Sequence, residues 1–273
     1  GARWLVSLDD QLALDLAARN EAAISRWQKL VAALRFFEER RAWAGGQSRA
    51  VVAVISTFSG DNEFLATEVL NLAARRNLLH SVLLTSQAAS ADLTPLKAIL
   101  CLDAEAPAEL LRRKLEAFVR AGGVLIAPAW AGKLSAAGKP LDSAVAGYDV
   151  WQLGGGRVAV PNAPWEDPYR VAVDAHLLIS HREDPVVLFN GGSLMAWYTA
   201  VPGGRRELVQ LVRYSAQVQV QPVSLRLRRG HSSVKLSTLE TPAGAEIPQT
   251  KVKAGVELAL PPFPVFAALE LGL

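Results

Sequence analysis

Gly122-Gly123-Val124-Leu125-Ile126-Ala127-Pro128-Ala129-Trp130-Ala131-Gly132 is the stretch from which the rest of the chain is best read. Its apolar run predicts a buried strand, entered from a glycine stop and left through a tight turn. In many α/β enzymes such a strand-turn-helix elbow lifts one side chain above the sheet, and a Ser or Cys placed there becomes reactive beside a base. Here the turn offers Pro128, Ala129 and Trp130, none of them a nucleophile. The stretch predicts an architecture and no chemistry, with the turn packing Pro128 and Trp130.

Outward from the elbow, the pattern from Ala50 is of short all-apolar runs alternating with amphipathic helices, as in a parallel sheet covered on both faces. Val51 to Ile55, Val82 to Leu84, Ala98 to Leu102 and Val124 to Ala127 are the predicted strands, with Arg157 to Val160 a fifth. Asp61 or Asn62 caps a helix running to about Arg76. Pro107 opens another, which runs to Ala121 and stops at Gly122-Gly123. Residues 131–156, rich in Gly, Ala and Ser, read as a long excursion at the carboxyl edge of the sheet, where doubly wound sheets bind ligands. Gly154-Gly155-Gly156-Arg157 precedes a strand instead of following one, so it reads as a flexible connection and not as a phosphate loop.

Toward the amino terminus, Ala2 to Val6 is strand-like, and Ser7-Leu8-Asp9-Asp10 resembles a capping box ahead of Leu12 and Leu16. Asn20 caps the clearest helix, whose apolar stripe is Ile24, Trp27, Leu30, Val31, Leu34 and Phe37. Gly45-Gly46-Gln47-Ser48 ends it. Past Pro161 a helix over Tyr169 to Ser180 precedes strands at Val186 to Phe189, Glu207 to Tyr214, Val223 to Arg228, Val234 to Leu239, Val256 to Leu260 and Val265 to Leu271. Their spacing and alternation predict an antiparallel β-sandwich. These shifts divide the chain into residues 1–46, 47–162 and 163–273, and the opening on a strand-like run with no leader or cap raises the expectation of a piece cut from something longer.

Composition narrows the partners. A hydrophobic content of 51% fills real cores, and a net charge of +3 is too small for a nucleic-acid binder of this size. Arg226, Arg228 and Arg229 alternate with Leu225 and Leu227, as on the wet face of a strand. The lone Cys101 excludes an internal disulfide and lies inside an apolar strand, where a thiol is inert. His80, His176, His181 and His231 are scattered, and His176 and His181 diverge on a helix, so neither a metal nor another cofactor is expected. No run reaches membrane-spanning length, and the compartment stays open.

Candidate ligand-binding residues gather after the strands. Asp61, Asn62 and Glu63 follow the first strand at the elbow's edge, where a helix start can hold an anion or sugar hydroxyls; the same residues also serve as plain caps. Asp103 and Glu105 follow the third strand, and Trp130 stands in the elbow itself. Two carboxylates on one edge are the raw material of a glycosidase pair. Trp151, Trp165, Tyr169, Trp197 and Tyr198 supply faces for sugars or for core packing.

The run Leu34-Arg35-Phe36-Phe37-Glu38, the segment Lys114-Leu115-Glu116-Ala117-Phe118-Val119-Arg120-Ala121-Gly122-Gly123-Val124-Leu125-Ile126 and the sandwich-like tail resemble the C-terminal half of bacterial glycoside hydrolases of the family-42 β-galactosidase type. In that family an amidotransferase-like α/β domain without its own catalytic triad follows a catalytic (β/α)8 barrel, often mediates trimer contacts, and precedes a small β-domain. The resemblance implies an α/β fold with a flavodoxin-like, class I glutamine amidotransferase-like parallel sheet followed by an antiparallel β-sandwich. Gly1 to Trp43 then corresponds to the end of a barrel and its outgoing linker. Since that family's catalytic glutamates stand on barrel strands, no residue here inherits either role, and no catalytic residue is expected. The implied partners are a carbohydrate and, by resemblance, a homotrimer. The implied function is a non-catalytic accessory region. An atypical hydrolase using Asp61, Glu63, Asp103 or Glu105, and a stand-alone carbohydrate-binding or assembly protein, are the alternatives.

Overall fold

The structure, a computed structural model, describes residues 10–135, 138–179, 184–215 and 222–273. The expected strand at Ala2 to Val6, residues Ser7 to Asp9 of the expected capping box, and His181 lie outside the described residues. In chain order the elements begin with α1 (Asp10–Ala17), α2 (Glu21–Glu39), a 3₁₀ turn (Arg41–Gly45), β1 (Gln47–Ser48), β2 (Val52–Ser56), α3 (Glu63–Arg75), β3 (His80–Leu84), the short α4 (Thr85–Ala88), β4 (Ala98–Cys101) and α5 (Glu109–Arg120). They continue with β5 (Val124–Ile126), α6 (Gly132–Ser135), β6 (Lys139–Leu141), β7 (Tyr148–Leu153), β8 (Gly156–Pro161) and α7 (Pro168–Ile179). The remaining strands are β9 (Val186–Phe189), β10 (Leu194–Ala200), β11 (Arg206–Arg213), β12 (Val223–Leu227), β13 (Val234–Thr238), β14 (Ala245–Glu246), β15 (Thr250–Val252), β16 (Gly255–Leu260) and β17 (Phe266–Gly272).

The first sheet runs β3-β2-β4-β5-β8-β7-β6. Its first five strands are parallel, and β7 and β6 extend it antiparallel. The inner strands β2, β4 and β5 are covered on both faces, which is why their sequences are unbroken apolar runs, whereas the edge strand β3 leaves Val82 and Leu84 exposed. On one face Val54 and Leu100 pack with Ala66, Val69 and Ala73 of α3 and with Val171 and Ala175 of α7. On the other, Ile55 and Ile99 pack with Leu111, Leu115 and Val119 of α5.

The stretch 131–156 corrects the expectation of a long excursion: it contains α6, β6 and β7. Tyr148-Asp149-Val150-Trp151-Gln152-Leu153 alternates well enough to be read as a half-buried strand, but the surrounding Gly and Ser hide it. Gly154 and Gly155 are therefore the tip of a β7-β8 hairpin and no flexible connection, since Leu153 pairs with Gly156 across it. Gly154 sits at φ +61, and a Cβ on Gly156 would stand 2.1 Å from the Gly123 carbonyl oxygen and 2.2 Å from that of Val119. Only glycine allows the hairpin to lie this close to the end of α5.

The sandwich comprises a six-stranded sheet, β1-β10-β11-β17-β13-β14, facing a four-stranded one, β15-β16-β12-β9. Val209, Leu211, Leu225, Leu258 and Leu269 fill the space between them. Ala50 and the buried Leu79, which flank the first sheet, join the same core. Asn20 caps α2 as expected, its Oδ1 accepting from the Ala22 and Ala23 amides at 3.0 and 3.1 Å.

The stripe expected along α2 is only partly used. Ile24 and Trp27 remain 37% and 36% exposed, whereas Ala23 and Phe36 are buried. Its carboxyl end docks on the outer face of the larger sandwich sheet, where Phe36 meets Trp43, Leu208 and Phe266.

Candidate functional site

A doubly wound sheet binds ligands where successive connections leave toward opposite sides. Here the chain passes from β2 through α3 to β3 on one side, then returns to β4 on the other, so this point lies between the carboxyl ends of β2 and β4. Ser56 closes β2, and Asp103 follows β4 by one residue beyond the buried Leu102.

Asp103 occupies the crevice and is tied on every side. Its carboxylate accepts from the Ser56 hydroxyl at 2.7 Å, the Thr85 hydroxyl at 2.6 Å, the Thr57 hydroxyl at 3.2 Å and the Asn62 amide at 3.0 Å. The Thr57 backbone N–H is shared between both carboxylate oxygens at 3.0 Å each. Five donor groups meet a carboxylate with about four lone-pair sites, so its accepting capacity is filled. Ser56, fully buried, also accepts from the Phe58 amide at 3.1 Å and the Asn62 side chain at 3.0 Å. Phe58 adopts φ +50, a left-handed conformation costly for an aromatic residue, as its amide turns back onto Ser56.

Burial raises the pKa of Asp103, but the hydrogen bonds from Thr85, Ser56 and Thr57 outweigh it and hold the carboxyl below its ordinary value. The group is thus ionised at neutral pH and cannot donate a proton. Its depressed pKa and occupied lone pairs also make it a poor base. The neighbouring thiol of Cys101 is pushed up, first by burial and then by the charge of Asp103, in keeping with an inert core residue.

Of the residues expected at this edge, the structure brings together Asn62, Asp103 and Trp130. The Trp130 Nε1–H donates to the Asp103 carbonyl at 3.1 Å, so the elbow turn is tied back across the sheet edge. Asn62 corrects an expectation: its side chain makes no cap bond to α3 and reaches into the Asp103 network. Asp61, Glu63 and Glu105 are exposed and outside that network. Ser56, Thr57 and Thr85 were missed by sequence reasoning, although polar residues at the end of apolar strands were a usable signal.

Other features lie elsewhere. A cleft of about 820 Å³, lined by Lys97, Lys114, Phe118 and Arg157 among others, opens at the opposite, amino end of the strands. The Nε2 of His176 meets Asp184 at 2.8 Å, and among the described residues no group of three or more His, Cys, Asp and Glu could hold a metal. No described helix is long and apolar enough to cross a membrane. Arg226 pairs across the sheet with Glu257 at 2.7 Å, but Arg229 departs from the expected wet face and reaches the buried Glu207 at 2.9 Å.

The fold so described is that of regions found in glycoside hydrolases. It is similar to an α-L-fucosidase, isoenzyme 2, from Paenibacillus thiaminolyticus, at TM-score 0.62 and 14% identity over 86% of this chain and 50% of that one. A β-galactosidase from Bacillus circulans sp. alkalophilus matches at TM-score 0.55 and 10% identity, over 83% of this chain and 42% of that one. A GH42 β-galactosidase from G. stearothermophilus, a catalytic mutant, matches at TM-score 0.52 and 11% identity, over 82% and 40%. The chain spans half the length of the fucosidase and about two-fifths of each galactosidase. At these identities the likeness is one of fold. No protein-family model matches the chain, and no curated protein matches it.

Proposed function

We propose that this chain is a non-catalytic, accessory region of a carbohydrate-active protein, framing substrate or joining subunits beside a catalytic unit elsewhere. The observation that carries this reading is the saturated Asp103 carboxylate in the crevice where a doubly wound sheet ordinarily takes its ligand. The fold likeness to a fucosidase and to β-galactosidases supports the carbohydrate part. The parallel strand order β3-β2-β4-β5-β8 supports a flavodoxin-like, amidotransferase-like unit over residues 47–162. In this reading residues 1–46 belong to the end of a preceding unit, and 163–273 form the connecting helix and the sandwich. Asp61, Glu63 and Glu105 offer exposed carboxylates to sugar hydroxyls at the edge that Asn62, Asp103 and Trp130 hold in place.

The purified chain is expected to leave nitrophenyl galactosides and fucosides uncleaved, and to answer sugar titration or light scattering with saturable tryptophan quenching or a trimeric mass. Turnover at enzyme-like rates, abolished by Asp103→Ala or Glu63→Ala without loss of thermal stability, would establish a hydrolase instead.

A further inference from the structure

A second buried carboxylate stands at one end of the sandwich. Glu207, near the start of β11, alternates with Val209 and Leu211 and so faces the space between the two sheets, where its side chain is 2% exposed. Two guanidinium groups converge on its Oε1: the Nε of Arg49 at 3.0 Å and an Nη of Arg229 at 2.9 Å. Tyr198, on the neighbouring β10, donates its hydroxyl to the other carboxylate oxygen.

Each arginine comes from a different connection. Arg49 lies between β1 and β2, its backbone amide bonded to the Tyr198 carbonyl at 2.8 Å, and Arg229 lies between β12 and β13. Their shared oxygen holds the two contacting nitrogens within about 6 Å of each other. A single carboxylate beneath two guanidinium groups leaves one positive charge in excess. Burial is the largest influence on Glu207 and raises its pKa, but hydrogen bonds from Tyr198 and Arg229 and the charges of both arginines bring it below its ordinary value, so Glu207 remains an anion. The nearby His231 is lowered, mainly by burial, and adds no charge at neutral pH.

The arginines are spent only in part on Glu207. A guanidinium carries five N–H donors in a rigid fork, and these two side chains are 47% and 58% exposed. The buried carboxylate fixes one nitrogen of each, and Arg229 also meets the Tyr198 hydroxyl, while about half of each side chain stays exposed. This is a pair of anchored, half-exposed guanidinium groups with excess positive charge, the donor type that oxyanion recognition uses. A clamp serving only to tie the β1–β2 connection to the sandwich would need one arginine to neutralise Glu207.

We propose that Arg49 and Arg229, held by Glu207 and Tyr198, form an oxyanion-binding site that takes the sulfate or carboxylate group of an acidic ligand on the side away from Glu207. The site precedes the amino end of β2, whereas the Asp103 network closes the carboxyl end of that strand, so it stands independently of the function proposed above.

The test is titration of the whole chain with sodium sulfate and with sodium galacturonate at ionic strength held constant by chloride, with galactose as the neutral control. Calorimetry and the Arg Nε NMR signals are the readouts. Saturable millimolar binding is expected, with Arg49 and Arg229 signals shifting together and galactose silent. Arg49→Gln and Arg229→Gln should each weaken binding roughly tenfold, and Arg229→Lys, which keeps the charge and loses the fork, less than Arg229→Gln. Binding of sulfate alone assigns the site to tetrahedral oxyanions; binding of both extends it to planar carboxylates. Absence of saturable binding of either anion overturns the proposal. So does unchanged affinity in variants that unfold at the wild-type temperature. Should the variants fold poorly, the wild-type Arg signals decide: saturation that leaves Arg49 and Arg229 unmoved refutes it.

Discussion

Asp103 shows what a partly buried carboxylate demands of the chain around it. A carboxylate in that crevice needs donors to offset the water it loses; Ser56, Thr57 and Asn62 supply them from the end of β2 and its connection to α3, and Thr85 from the start of α4. Replacing it with Asn puts an amide N–H₂ among donors, so Asp103→Asn is expected to cost about 2 to 3 kcal/mol at neutral pH, measured by urea unfolding. The sign of the pH dependence follows from the depressed folded pKa. The unfolded chain takes up the proton first on acidification, so the stability due to Asp103 is complete above the ordinary carboxylate pKa and lost as pH falls through the folded value. The gap between wild type and Asp103→Asn should therefore narrow below about pH 5, and a gap constant to pH 3 would refute this account. Nothing local in the sequence distinguishes Asp103 from the exposed Glu105 two positions later, because the distinction lies in donors that are 18 to 47 residues away.

At the scale of elements, the β7-β8 hairpin carries the clearest steric constraint. Its glycine triplet lies against the end of α5, and the atoms nearest an added Cβ at Gly156 are backbone carbonyl oxygens, which cannot step aside as a flexible side chain would. Gly156→Ala is expected to destabilise by about 2 to 3 kcal/mol in urea unfolding. Gly192→Ala, at a position with no atom within 4 Å of the new Cβ and no positive φ, should stay within about 0.5 kcal/mol and serves as the control. The parallel strands and α5 were legible because their apolar period is a local property. The hairpin was not, since a glycine run reads as flexibility until the neighbour that demands glycine is known.

At the scale of the whole molecule, the helical arm and the sandwich are joined by aromatic packing. Phe36 is 2% exposed and meets Phe37, Trp43 and Phe266 edge-on at centroid distances of 5.2 to 5.8 Å. Phe36→Ala is expected to cost about 3 to 5 kcal/mol and to release the arm, seen as accelerated tryptic cleavage at Arg40 and Arg41. Wild-type resistance to trypsin in that variant would show that the arm is held by something else. The sequence alone determined the layers: a parallel sheet wrapped by helices, then an antiparallel sandwich, with no nucleophile at the elbow. These follow from hydrophobic period and turn residues, which act over a few positions. Only the tertiary structure decided which charges meet. Asp103 finds Ser56 across 47 positions, and Glu207 finds Arg49, far earlier in the chain, and Arg229 from the connection between β12 and β13. A buried charge must gather its partners from whatever the folded chain brings near, and sequence spacing carries no record of that proximity.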